Sequence, residues 1–156
     1  MKINKAIILF VIFSFSFIRC EYKTVYEKNI RIPNGVWQNK NAVRLWYDAE
    51  DTLAVKDISI NLRHTGLYKY SNIYLFLTTQ APNGKQQRDT LEFTLANIQG
   101  KWFGRGLGDM YDIRMIYRKK VKFSQAGRYF FIIEQAMRDE KLEQITDIGL
   151  RIAPAK

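Results

Sequence analysis

The 156-residue chain has a single histidine, His64, and a single cysteine, Cys20, which narrows its chemistry at once. A metal site needs several imidazole, thiolate or carboxylate ligands brought together. No metal or cofactor is therefore expected. His64 is a formal candidate for a general base beside Ser59 or Ser71. A lone histidine at the end of a strand pattern is more often an ordinary polar position, so no catalytic residue is assigned. Glu92, Asp109, Asp112 and Glu134 would supply carboxylates for glycoside hydrolysis. Nothing in their spacing singles out a pair. Glu134 closes the apolar run Tyr129-Phe130-Phe131-Ile132-Ile133. An unpaired buried charge is costly, so an ion pair with Arg138 or Arg151 is expected.

The most distinctive stretch is Gly100-Lys101-Trp102-Phe103-Gly104-Arg105-Gly106-Leu107-Gly108-Asp109. It lacks the order of a phosphate-binding loop and the strand–loop–helix setting of a dinucleotide site. Its glycines imply positive φ or close backbone approach. Trp102, Phe103 and Arg105 belong to types that anchor protein interfaces. They are the candidate partner-binding residues. The competing reading is a packed connection in which Trp102 caps the core.

The elements that must position this loop read as strands. Val43, Leu45 and Tyr47 alternate with Arg44 and Trp46, and Ile58, Ile60 and Leu62 alternate with Ser59, Asn61 and Arg63. Period two marks a strand with one buried face. Leu91, Phe93 and Leu95 continue the theme, as do Ile113, Met115 and Tyr117. Ile73 to Leu77 is continuously apolar, as expected of a central strand buried on both faces. The expected core comprises Ile58, Ile60, Leu62, Ile73, Leu75, Leu77, Leu91, Phe93, Phe131 and Ile133. Pro82-Asn83-Gly84-Lys85 carries the Asn-Gly pair of a tight hairpin. Ala136 to Ile145 has apolar residues loosely spaced for a short helical turn. Eight or so short strands separated by Pro, Gly and Asn imply an all-β chain, an antiparallel β-sandwich of jelly-roll type, in one domain.

The N-terminus supplies context. Lys2 and Lys5 precede an apolar run, Ala6 to Ile18, that ends at Arg19-Cys20. A basic segment followed by about a dozen apolar residues is a secretory signal peptide, too short to span a bilayer as a helix. An unpairable cysteine where the signal ends points to a lipoprotein, with Cys20 as the acylated first residue. Arg19 departs from the small residue usual before such a cysteine. The organisation is then a signal peptide over residues 1–19, a lipidated tether over 20–24 and a β-sandwich domain over 25–156. Losing Lys2, Lys5 and Arg19 lowers the formal charge from +10 to +7. Export argues against a nucleic-acid partner, and a basic exported surface suits anionic headgroups or acidic envelope proteins.

Several segments together resemble the GldH family of gliding-motility lipoproteins of Gram-negative bacteria. They are Leu62-Arg63-His64-Thr65, Tyr68 to Phe76, Asp89-Thr90-Leu91, Gly100 to Gly106, Glu134 to Arg138, and Ile148-Gly149-Leu150-Arg151. The resemblance implies an acylated cysteine, here Cys20, and attachment to the outer membrane. It also implies action alongside other motility lipoproteins and a linked protein secretion apparatus, without enzymatic activity. The residues after Cys20 show no acidic cluster of the kind associated with surface export in this group, which favours the periplasmic face. The alternative is a lipid-anchored carbohydrate-binding module using Trp37, Trp46 and Trp102. Exposed coplanar tryptophans would favour sugar binding, and buried ones a docking protein.

Overall fold

The computed structural model describes residues 26–155; the signal segment, Cys20 and the tether lie outside them. The strands are β1 (Tyr26–Arg31), β2 (Val36–Gln38), β3 (Val43–Ala49), β4 (Lys56–Thr65), β5 (Asn72–Gln80) and β6 (Gln86–Thr94). They continue as β7 (Arg105–Leu107), β8 (Met110–Val121), β9 (Gly127–Gln135), β10 (Lys141–Glu143) and β11 (Ile145–Pro154). A five-stranded sheet runs β1-β11-β4-β8-β7, and a four-stranded sheet runs β3-β9-β5-β6. β2 and β10 form a small ribbon of their own. Every pairing is antiparallel. This is the expected all-β sandwich, with more strands than the eight or so inferred, because β2, β7 and β10 are pieces of three residues each.

Period-two alternation builds the core. Ile58, Ile60 and Leu62 on β4 meet Ile148, Leu150 and Ile152 on β11 and Ile113 and Met115 on β8. From the other sheet come Val43, Leu45 and Tyr47, Ile73, Leu75 and Leu77, and Phe131 and Ile133. Leu91 and Phe93 are only partly buried, because β6 is an edge strand. The Asn-Gly hairpin forms as expected, closed by the Gly84 amide donating to the Ala81 carbonyl at 2.8 Å.

Three local expectations are corrected. β5 is buried on one face; on the other Tyr74 is 37% exposed and Phe76 half-buried, and only Thr78 is buried, since no third layer covers the outside of this sheet. Ala136 to Ile145 is not helical. The Gln135 side chain organises a turn by accepting from the Met137 amide and donating to the Asp139 carbonyl, each at 2.8 Å. The chain then forms β10, where Leu142 is buried opposite Trp37. Finally, Glu134 pairs with neither Arg138 nor Arg151. Register places it beside Phe76, over whose ring Arg88 lies, and Arg88 reaches Glu134 at 2.9 Å.

Candidate functional site

The glycine-rich loop lies at the end of the sandwich where β4 finishes and β5 begins. Its first half is a tight turn. The Asn97 carboxamide accepts from the Gln99 and Lys101 amides, and Lys101 returns its carbonyl to the Asn97 amide. Trp102 bridges to Ala96, and the Phe103 amide donates to the Leu95 carbonyl at 2.7 Å. Gly104 has φ of +95°, and a Cβ there would overlap the Asp112 carbonyl oxygen and lie 2.7 Å from Ile113 Cγ1. The chain therefore needs glycine to turn onto β8. β7 then pairs with β8, and Gly108 makes the connecting turn at φ of +65° in open space. The Gly66 amide clamps the far end to the Asp109 carbonyl at 2.6 Å.

The candidate residues separate by direction. Trp102 turns inward, its ring 4.7 Å from His64 in an edge-on arrangement, with Tyr68 and Tyr111 completing the enclosure. His64 is 0% exposed and stacks on Tyr111 at 5.6 Å. Its Nδ1 lies 2.8 Å from the Thr65 carbonyl, which assigns the proton to that nitrogen. Burial holds its pKa below the ordinary histidine value, against the pull of that hydrogen bond. Neither Ser59 nor Ser71 is its partner, so the geometry does not build a histidine–serine pair. Tyr68 donates to the Asn72 carbonyl at 3.1 Å, and burial raises its pKa. Trp102 thus fills the capping role, while Phe103, 46% exposed, and the exposed Arg105 face outward.

Arg105 ends a row of charge that crosses the whole five-stranded sheet. Register aligns Arg31 with Asp147, Asp147 with Arg63, Arg63 with Asp112, and Asp112 with Arg105. Arg63 binds Asp112 at 2.6 Å and Asp147 at 3.6 Å. The hydrogen bond that Arg63 donates to the Asp112 carboxylate raises the Arg63 pKa. Beside this row runs a polar groove of about 540 Å³ lined by Asn61, Arg63, Arg105, Asp112 and Arg114. Sequence reasoning missed the row because its members sit on five strands brought into line only by register.

The tryptophans do not form a platform. Trp37 is buried and donates to the Asn41 carbonyl at 2.8 Å. Trp46 is 41% exposed on the outer face of the four-stranded sheet, with the Lys28 ammonium 4.2 Å from its ring. Trp102 is at the end of the sandwich. Among the described residues, no group of three or more His, Cys, Asp or Glu side chains is placed to hold a metal. No described helix is long and apolar enough to cross a membrane.

Residues 24–152 match the family described as GldH lipoprotein. The chain belongs to the GldH lipoprotein family. It is 34% identical over 159 residues to a gliding motility lipoprotein GldH homolog of Christiangramia forsetii, covering 97% of each. It is 31% identical over 140 residues to gliding motility lipoprotein GldH of Flavobacterium johnsoniae, covering 85% of this chain and 86% of that one. The GldH fold is also similar to part of a family GH115 4-O-methyl-alpha-glucuronidase, with TM-score 0.42 and 9% identity over 88% of this chain and 18% of that chain. That likeness carries no functional weight.

Proposed function

We propose that this protein is an outer-membrane lipoprotein, acylated at Cys20 and facing the periplasm, that serves gliding motility and its linked protein secretion apparatus as a non-enzymatic component. The observation that carries the reading is family membership, with full-length relatives named as gliding motility lipoproteins. The site supports it chemically. The one buried histidine is enclosed by aromatic rings, and the loop above it offers Phe103 and Arg105 to a partner among the other envelope or motility lipoproteins. Trp102 acts from beneath, holding the loop in place.

The carbohydrate-binding alternative gains no support from the tryptophans, which lie in three separate environments. The test is Cys20→Ala in the native host. Loss of the protein from the outer-membrane fraction together with loss of gliding is expected. Normal maturation, normal membrane retention and normal gliding would refute the reading.

A further inference from the structure

The two ends of the sandwich differ in charge and in their relation to the tether. β1 begins at Tyr26, and one row of the five-stranded sheet runs Tyr26, Ile152, Ile58, Arg118. The segment Arg118-Lys119-Lys120-Val121-Lys122 therefore lies at the end of the domain where the tether enters. Thr65 and Met110 pair at the far end of the same strands, beside the glycine-rich loop. The β5–β6 hairpin brings Lys85 to the tether end, where Lys85, Arg118 and Lys122 rim a cleft of about 250 Å³ floored by Ile58, Phe123 and Phe131.

These cations are largely unneutralised. Arg118 is bound to Asp89 at 2.8 Å, and the Asp57 carboxylate is occupied by the Lys120 amide. Among the described residues, no carboxylate pairs with Lys85, Lys119, Lys120 or Lys122. Glu50 and Asp51, also at this end, follow β3, on the side of Tyr26 and Tyr47. The basic side is over β8, three strands away from β1, and over β6, the edge strand of the other sheet farthest from β3.

Residues 20–25 reach at most about 20 Å when fully extended. A lipid on Cys20 would hold this end within that distance of the headgroups, and charge attraction there acts over about one Debye length, roughly 8 Å. We infer that the lysine cluster at Lys85 and Lys119–Lys122 rests on anionic phospholipid headgroups, so that the domain stands on the bilayer with its glycine-rich loop pointing away from it. The inference rests on acylation at Cys20 and goes beyond it, because a lipid alone leaves orientation free.

The test is lysine acetylation read by mass spectrometry on the full lipidated protein, reconstituted into vesicles of phosphatidylcholine alone or mixed with phosphatidylglycerol. Lys85, Lys119, Lys120 and Lys122 should be modified about fivefold more slowly on the mixed vesicles, the factor expected per surface-held cation. Raised salt should abolish the difference, and Lys101, at the opposite end, should not change. Lys119→Glu with Lys122→Glu should remove the protection of Lys85 and Lys120 without altering the fold, since both are exposed. Equal modification on both vesicle types, with the protein still bound, overturns the inference and leaves the anchor standing. Loss of the protein from both overturns the anchor and the inference together. Protection in native envelopes but not on vesicles identifies an acidic protein as the occupant and also overturns it.

Discussion

Replacing Gly104 and Gly108 separately by alanine tests how the glycine-rich loop is held. Both glycines have positive φ, so either alanine pays about 1–2 kcal/mol for a left-handed backbone. Gly108 has nothing within 4 Å of its would-be Cβ, and the cost should stop there. At Gly104 the new methyl would overlap the Asp112 carbonyl and crowd Ile113. Both are held, Asp112 in the β4–β8 ladder and Ile113 in the core. Relieving the overlap must push β7 off β8, adding roughly 1–3 kcal/mol. Gly104→Ala should therefore cost about 2–5 kcal/mol and Gly108→Ala about 1–2 kcal/mol. At roughly 4 °C per kcal/mol for a domain of this size, the Gly104 variant should melt some 8–20 °C lower. Urea unfolding followed by tryptophan fluorescence would give both values. Equal losses for the two variants would refute the close approach.

Leu75→Ala, in the centre of β5 and fully buried, should cost about 2–5 kcal/mol by chemical denaturation; a loss below about 0.5 kcal/mol would remove it from the core. Because burial lowers the pKa of His64 in the native state, the unfolded chain binds its proton first. Stability should be level above about pH 6.5 and fall as pH drops from there through the lower native pKa, and urea midpoints across that window should lose this slope in His64→Phe. Arg105→Ala should leave the unfolding free energy within about 0.5 kcal/mol of wild type but reduce recovery of envelope partners on the order of thirtyfold, as for loss of a roughly 2 kcal/mol contact. A folded variant with unchanged partner recovery would remove this loop as the contact.

The strands of the core were legible because period two leaves its mark on each strand alone, as in Val43-Arg44-Leu45-Trp46-Tyr47. What was not legible depended on relations between strands. A continuous apolar run such as Ile73 to Leu77 does not say how many layers cover it, and Tyr74 and Phe130 both stand on a face left open to solvent. The partner of Glu134 is Arg88 only because β5 lies between β9 and β6 and carries Phe76 as the surface that Arg88 crosses. The helical expectation for Ala136 to Ile145 failed on one side chain, the Gln135 carboxamide, whose local hydrogen bonds compete with helix formation. At the loop, residue types indicated Trp102, Phe103 and Arg105 together. Direction separated them, and direction follows from the Gly104 turn and the position of His64. The lysine-rich run from Arg118 to Lys122 is plain in the chain, but its place at the end where β1 begins emerges only from the register of β1, β11, β4 and β8.

The pairing of β1 with β11 has a mechanical consequence. The proposed tether would enter at Tyr26, and the six residues from there to Arg31 run toward the loop end, paired with Ile152 back to Asp147. A pull between the tether and the opposite end of the domain therefore acts along the strand axis. All the rungs between β1 and β11 then bear the load at once, in shear, and must fail together. Endurance under such a load is set by the barrier to that concerted rupture, a rate and not an equilibrium. A tether joined at Arg31 instead would peel the same ladder open one rung at a time.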